Sequence, residues 1–362
     1  MRVLHVTDSY LPTLGGIELH VRDLATRQQA VGHDVSIVTR TPAGPADASG
    51  PDVRRVPVAR QPPLTELVPD VVHAHVSIIS PFGLATARRS AMLGIPTVIT
   101  VHSLWTHVGC LPELARELWG MRRWNVTWAA VSERAAQPVR DLLGAPVHVV
   151  PNAVDLAEWS AFAAAPSGPP HVLSVMRLTG VKRALPLVRT LRRAARHTDF
   201  TATVVGDGPQ REAVQRYLRR QGLADRVRLT GALDRRQIRA RLAGASIFVA
   251  PAHRESFGIA ALEARASGVP VVASSRSGIA TFIEHGRDGL LGADDREIGD
   301  HLLTLLQDAG LRDELARHNR LVPPAYGWDQ ALARNDEVYA LTVATHAQRA
   351  AGRRQAGRVL VG

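Results

Sequence analysis

A doubly wound α/β architecture in two domains is predicted from three observations on this sequence. Apolar runs of strand length alternate with helix-period segments along most of the chain. The alternation halts at a Pro- and Gly-rich stretch near the middle and then restarts. The 362 residues are enough for two cores of ordinary size, and 45% apolar against 21% charged residues is a globular balance.

Taken in order, strand candidates fall at 2–7, 34–39, 70–75, 96–101, 126–131 and 146–150. Helix-period segments such as Ile17–Val31 and Pro81–Leu93 lie between most of them. The β-branched runs are apolar on both faces, as strands of a parallel sheet covered on both sides must be. Ala163-Ala-Ala-Pro-Ser-Gly-Pro-Pro170 reads as a linker. Beyond it, strand candidates resume at 171–176, 201–205, 226–230, 246–250 and 270–273. The expected division is a first domain over 1–163, a second over 171–325, a C-terminal helix over 326–345 able to return to the first, and a basic tail over 346–362. Open parallel sheets hold ligands at the carboxyl ends of their strands, so a ligand facing both domains is expected in a cleft between them.

The net charge of +11 is unevenly spread. Residues 1–165 carry fourteen Arg against fourteen Asp and Glu, so the whole excess lies beyond them, part of it in the tail at Arg349, Arg353, Arg354 and Arg358. Scattered arginines read as solvated helix faces that also attract anions. No basic strip interleaved with aromatics is present, so no nucleic-acid partner is expected. No apolar run reaches the roughly eighteen residues that span a bilayer, and Arg2-Val-Leu-His-Val-Thr7 is not a signal peptide. Cys110 is the sole cysteine, which excludes a disulfide framework and a thiolate metal site. The expected location is the cytoplasm. Arg88-Arg89 and Arg122-Arg123 leave peripheral contact with the inner membrane face open, although the neutral first domain does not favour it.

The chemistry-bearing residues gather in the second half. Pro251–Pro270 sets Glu255 and Glu263 eight positions apart, with Ser256-Phe257-Gly258 opening a short apolar helix at Ile259. Free N–H groups at that helix start can hold a phosphate, and Glu263 can accept from two vicinal hydroxyls. Lys182 is the only lysine among forty-four basic side chains and stands five residues after Arg177. A compact ammonium and a planar guanidinium are not interchangeable at a crowded phosphate, and the end of strand 171–176 suits a pair neutralising a departing diphosphate. Gly206-Asp207-Gly208 ends the next strand, as a turn beside a base or sugar or simply as a turn. If helical throughout, Glu255 and Glu263 would stand about 12 Å apart, wider than the roughly 5–9.5 Å of hydrolytic carboxylate pairs.

The first half offers less. Gly15 and Gly16 precede a helix and suit either close approach to a phosphate or a plain turn. The fingerprint Gly-x-Gly-x-x-Gly is absent, which speaks against a dehydrogenase. His73 and His75 face one side of a strand, but with no cysteine or carboxylate partner in sight no metal is expected. The chain also lacks any Asp-x-Asp, the simplest signal for a divalent ion on a nucleotide sugar. His102 ends strand 96–101, where a ligand would sit. Trp105, Trp119, Trp124 and Trp128 cluster within twenty-four residues; core packing explains most of them, while Trp105, Trp119 and Trp124 can also line an acceptor platform.

Together these pieces resemble the family-four retaining glycosyltransferases of the two-Rossmann-domain GT-B architecture. The resemblance runs from about residue 4 to 340. It rests on the order and spacing of Gly-Gly-Ile-Glu-Leu-His-Val, Asp-Val-Val-His-Ala-His, Thr-Val-His-Ser, Val-Val-Pro-Asn-Ala-Val-Asp, Arg-Leu-Thr-Gly-Val-Lys, Val-Gly-Asp-Gly-Pro and the Glu-x7-Glu segment. It implies that Arg177 and Lys182 hold the donor diphosphate, that Glu255 reads a sugar hydroxyl, and that Phe257-Gly258-Ile259 flanks sugar and phosphate. Glu263 is similar to the ribose-binding carboxylate, Gly16 to the loop over the diphosphate, and His102 to the residue beside the anomeric carbon. The implied reaction moves a sugar from a nucleotide-sugar co-substrate, a UDP- or GDP-sugar, to a small-molecule, glycan or lipid acceptor hydroxyl, with retention and without cofactor or metal. Met176 stands where the family often has glycine, and Ser277-Gly-Ile-Ala-Thr281 replaces the usual Gly-Gly-x-Pro-Glu, which leaves the donor sugar open. The competing readings are a binding protein with a degraded donor site and a GT-B epimerase or phosphorylase.

Overall fold

The computed structural model describes residues 1–44, 50–58, 60–106, 120–160 and 168–359. Cys110, Trp119 and positions 163–167 of the expected linker lie outside the described residues. The chain divides into two compact units, Met1–Ala153 with Trp328–Gly362, and Val154–Gly327.

The first unit holds seven parallel strands: β1 (Arg2–Thr7), β2 (Asp34–Thr39), β3 (Asp52–Arg55), β4 (Val71–Val76), β5 (Thr97–Val101), β6 (Thr127–Ala130) and β7 (Val147–Val149), in the order β3-β2-β1-β4-β5-β6-β7. The apolar runs seen in the sequence become the central strands, and β4 and β5 are buried at every position. Sequence periodicity passed over β3, an edge strand whose Asp-Val-Arg-Arg alternates half-buried and exposed residues and so carries no apolar run. The second unit holds six parallel strands: β8 (His171–Val175), β9 (Thr201–Val205), β10 (Val227–Gly231), β11 (Ile247–Ala250), β12 (Val271–Ser274) and β13 (Gly289–Gly292), in the order β10-β9-β8-β11-β12-β13. Strand β13 was also passed over, since Gly-Leu-Leu-Gly is too short and too glycine-flanked to read as a strand. Both sheets reverse their winding beside their first strand, between β1 and β4 and between β8 and β11, and loops leaving the carboxyl ends of such strands are where α/β sheets bind ligands.

The unit boundary falls earlier than the sequence suggested. Helix Leu156–Ser160 packs on helix Ile259–Ala266 with Trp159 fully buried, and Val154 pairs with Gly327, so these residues belong to the second unit and not to a first domain ending at 163. Burying a tryptophan outweighs the continuity of the chain. The last helix, Trp328–Val359, outruns the expected 326–345. Val338 and Tyr339 enter the core beneath the first sheet with Val3, Val21 and Ile37, while Trp328 and Ala331 pack on Leu24 and Ala153. Among the described residues, no helix is long and apolar enough to cross a membrane.

Candidate functional site

The loops leaving β8 and β11 carry the second unit's candidate residues. After β8 the backbone runs straight alongside the loop after β9. The amide of Met176 donates to the carbonyl of Val205 at 3.0 Å, and that of Leu178 to the carbonyl of Asp207 at 2.8 Å. Arg177, held between these two anchors, turns its side chain to solvent. The anchoring requires Gly206: its φ of 129° lies in the region L side chains avoid, and a Cβ there would stand 1.9 Å from the carbonyl oxygen of Met176. The glycines of Gly206-Asp207-Gly208 therefore let one loop lie against the backbone that carries Arg177, while Asp207 stays exposed near Arg211.

Lys182 follows in the turn before helix Ala184–Ala194, and its ammonium meets the Glu255 carboxylate at 2.5 Å. Two residues 73 positions apart, singled out separately in the sequence, are thus one ion pair at the β8/β11 reversal. Glu255 is fixed through its backbone as well, its carbonyl accepting from the amide of Gly278 at 2.8 Å. Gly258 caps helix Ile259–Ala266 with φ 97°, and Ile279 fills the space where a side chain would go. The Ser277–Thr281 segment that departs from the family pattern is therefore the floor under Ser256-Phe257-Gly258. The Phe257 side chain is buried in a trio with Phe282 and Tyr326, ring centres 5.3 and 5.6 Å away. Glu263 lies one turn inside the helix and is 8% exposed. Behind it Arg265 and Asp288 form a buried ion pair at 2.7 Å, with the His318 ring 3.3 Å from the same carboxylate.

Sequence reasoning missed Arg183, which adopts φ 64° at the helix start and pairs with Asp295. Asp295 also lies 3.5 Å from His253, whose other ring nitrogen is 2.7 Å from the Ser274 hydroxyl. These partners are more than forty positions apart except His253 and Ser274, and no local signal announces them.

In the first unit, Gly15 caps helix Gly16–Ala30 without a side-chain hydrogen bond. Its φ of −167° is extended backbone open to any residue, so the conformation does not require this glycine. Trp105 is buried edge-on against Trp128, ring centres 6.3 Å apart, and belongs to the core instead of an acceptor platform. His102 follows β5, its amide donating to the carbonyl of Val76 at 2.8 Å. Its ring is 6% exposed, and burial pushes its imidazole well below the usual histidine range. His73 and His75 have a third imidazole beside them that the sequence did not reveal, His5 of β1. One ring nitrogen from each lies within 4.8 Å of the others. All six nitrogens already have hydrogen-bond partners, so a metal ion would have to displace bonds that hold the strands together.

Residues 14–158 match the family model described as Glycosyltransferase Family 4, and residues 169–308 match Glycosyl transferases group 1. A D-inositol 3-phosphate glycosyltransferase of Xylanimonas cellulosilytica is 30% identical over 304 residues, 75% of this chain and 72% of that protein. The chain belongs to the family-four glycosyltransferases. A glycogen synthase of Mycobacterium tuberculosis is 28% identical to this glycosyltransferase over 395 residues, 94% of each. Among solved structures, Anabaena HepE in complex with UDP and glucose reaches a TM-score of 0.78 at 18% identity, covering 94% of this chain and 99% of that one. Sucrose-phosphate synthase from Thermosynechococcus elongatus reaches 0.73 at 20% identity, covering 95% and 99%. At such identities the likeness is one of fold, and it agrees with the two Rossmann-like sheets described above.

Proposed function

We propose that this glycosyltransferase takes a sugar from a nucleoside diphosphate donor and transfers it with retention to an acceptor hydroxyl, without a divalent metal. The observation that carries the reading is the Lys182–Glu255 ion pair at the β8/β11 reversal, beside the glycine-anchored loop that presents Arg177. An ammonium has three donors and Glu255 takes one, which leaves others for phosphate oxygens. Glu255 then has two tasks, orienting Lys182 and accepting a hydrogen bond from a donor-sugar hydroxyl. Glu263 accepts from the ribose hydroxyls, and the Ser256–Ile259 backbone flanks sugar and phosphate. UDP-glucose is bound by Anabaena HepE, which supports a nucleotide-sugar donor here.

In the reaction the bond from the anomeric carbon to the diphosphate oxygen breaks and a bond to the acceptor oxygen forms on the same face. The departing phosphate takes the acceptor's proton. Arg177 and Lys182 supply positive charge where negative charge develops, a form of stabilisation that reaches several kcal/mol in a preorganised site. Calorimetric titration with UDP, GDP, ADP and dTDP in chelator tests the donor site, and one nucleotide is expected to bind at micromolar levels. The proton spectrum of the product then reads the anomer. Binding of none by folded protein refutes the donor site, an inverted product refutes retention, and an unchanged nucleotide Kd in Glu263→Ala refutes the ribose contact.

A further inference from the structure

The turn at residues 179–183, between β8 and helix Ala184–Ala194, carries two consecutive cations that pair with carboxylates from two different places. Lys182 meets Glu255, which follows β11, and Arg183 meets Asp295, the first residue of helix Asp295–Gln307 beyond β13. Within the turn the amide of Lys182 donates to the Thr179 hydroxyl at 3.3 Å, and that of Arg183 to the carbonyl of Gly180 at 3.0 Å. One Asp295 oxygen faces Arg183, and the other lies 3.5 Å from His253 Nε2. Burial, and then the neighbouring Arg183, hold the His253 imidazole below its usual range. The ring is therefore neutral at pH 7, and the charge of Asp295 is left to the guanidinium.

Arg183 strains its position on two counts. Its φ of 64° and ψ of 42° are left-handed backbone, where a Cβ crowds the carbonyl that follows and which glycine adopts freely. Among the described residues thirteen glycines take a positive φ and only two other residues do, Val68 and Arg183, so this chain ordinarily meets such a turn with glycine. The Arg183 Nε is also buried and makes no hydrogen bond among the described residues, a second cost that glycine would not carry. Strain of this kind persists where the surrounding structure holds it in place, and here the side chain has a specific ionic partner one residue away from Lys182.

We propose that Arg183 is a positioning residue whose ion pair with Asp295 fixes the turn from which the Lys182 side chain departs, and so holds the ammonium where a leaving phosphate needs it. This rests on the reading that Lys182 neutralises the donor diphosphate. The lysine head sits on a flexible four-carbon stem, and a carboxylate at the tip restrains the head but not the backbone it grows from. With Glu255 at the head and Asp295 fastening the next residue, both ends of the stem are fixed before a donor arrives. Such preorganisation is what makes a charge effective at the moment of bond cleavage.

Two measurements test it. Lys182 is the only lysine in the chain, so the full-length protein labelled with carbon-13 lysine gives a single lysine side-chain spectrum. The two Cε protons should have distinct shifts in the wild type, because a fixed stem gives them different surroundings, and should merge in Arg183→Gly and in Asp295→Asn. Glycine accepts the left-handed turn without strain, and Asp295→Asn leaves Arg183 itself in place, so the two variants remove the ion pair by different routes. Merged shifts in the wild type, or shifts that stay distinct in either variant, overturn the proposal, and this reading needs no substrate. In turnover each variant should lower kcat by roughly fivefold or more and cause no further loss in a Lys182→Ala background. An equal loss in both backgrounds reduces Arg183 to a packing role and overturns the proposal. If wild-type protein turns over no nucleotide sugar, the proposed function fails while the lysine spectrum still decides whether Arg183 orders Lys182.

Discussion

Lowering the pH should unfold the first unit through its buried imidazoles. Each is neutral when folded and titrates near 6.5 once unfolded, so below pH 6.5 the unfolded chain binds more protons and stability falls with pH. The loss is complete only below the folded-state value, about 4 for His5 and His20. At about 1.4 kcal/mol per pKa unit, each costs roughly 3 kcal/mol by pH 4, and the two together remove about 6 kcal/mol. A domain is stable by only about 5–15 kcal/mol, and His73, His75 and His102 act in the same direction. The assay is guanidinium unfolding from pH 7.5 to 4.5, followed by tryptophan fluorescence. The buried Trp105, Trp128 and Trp328 report on the first unit, and Trp159 on the second. The first-unit midpoint should drop steeply below pH 6.5. A midpoint that stays level from pH 7 to 5 would refute the neutral, buried state of these imidazoles.

Three further outcomes follow from named contacts. Lys182→Ala should cost about 2–4 kcal/mol in the transition state, a fall in kcat of roughly 30- to 1,000-fold measured by steady-state turnover. Asp288→Ala strands the Arg265 guanidinium, whose side chain is 7% exposed, and should destabilise the second unit by about 3–5 kcal/mol in denaturant titration. Gly206→Ala should cost about 1–3 kcal/mol from backbone strain alone and weaken nucleotide binding by displacing the Arg177 loop, both readable by thermal melting with and without nucleotide.

Much of the architecture was legible because apolar runs declare buried parallel strands, and eleven of the thirteen strands among the described residues stood out that way. The two missed, β3 and β13, are short sheet-edge strands, where burial no longer forces an apolar pattern. In the candidate site, Lys182 and Glu255 were legible as residues, since a lone lysine and a spaced pair of glutamates are unusual. Their ion pair was not, because sequence does not show which loops leave neighbouring strands. The third imidazole of the histidine cluster was hidden for the same reason. His73 and His75 share a strand and were read together, whereas His5 reaches them from β1.

The return of the last helix to the first unit also bears on synthesis. Val338 and Tyr339 belong to the core under the first sheet, so that core has an open seam until they leave the ribosome. Residues 154–327 form an uninterrupted unit that emerges in between. At about 5–20 residues per second, the nascent first unit waits on the order of ten to thirty-five seconds with apolar surface uncovered. The second unit can therefore finish folding before the one that preceded it out of the tunnel.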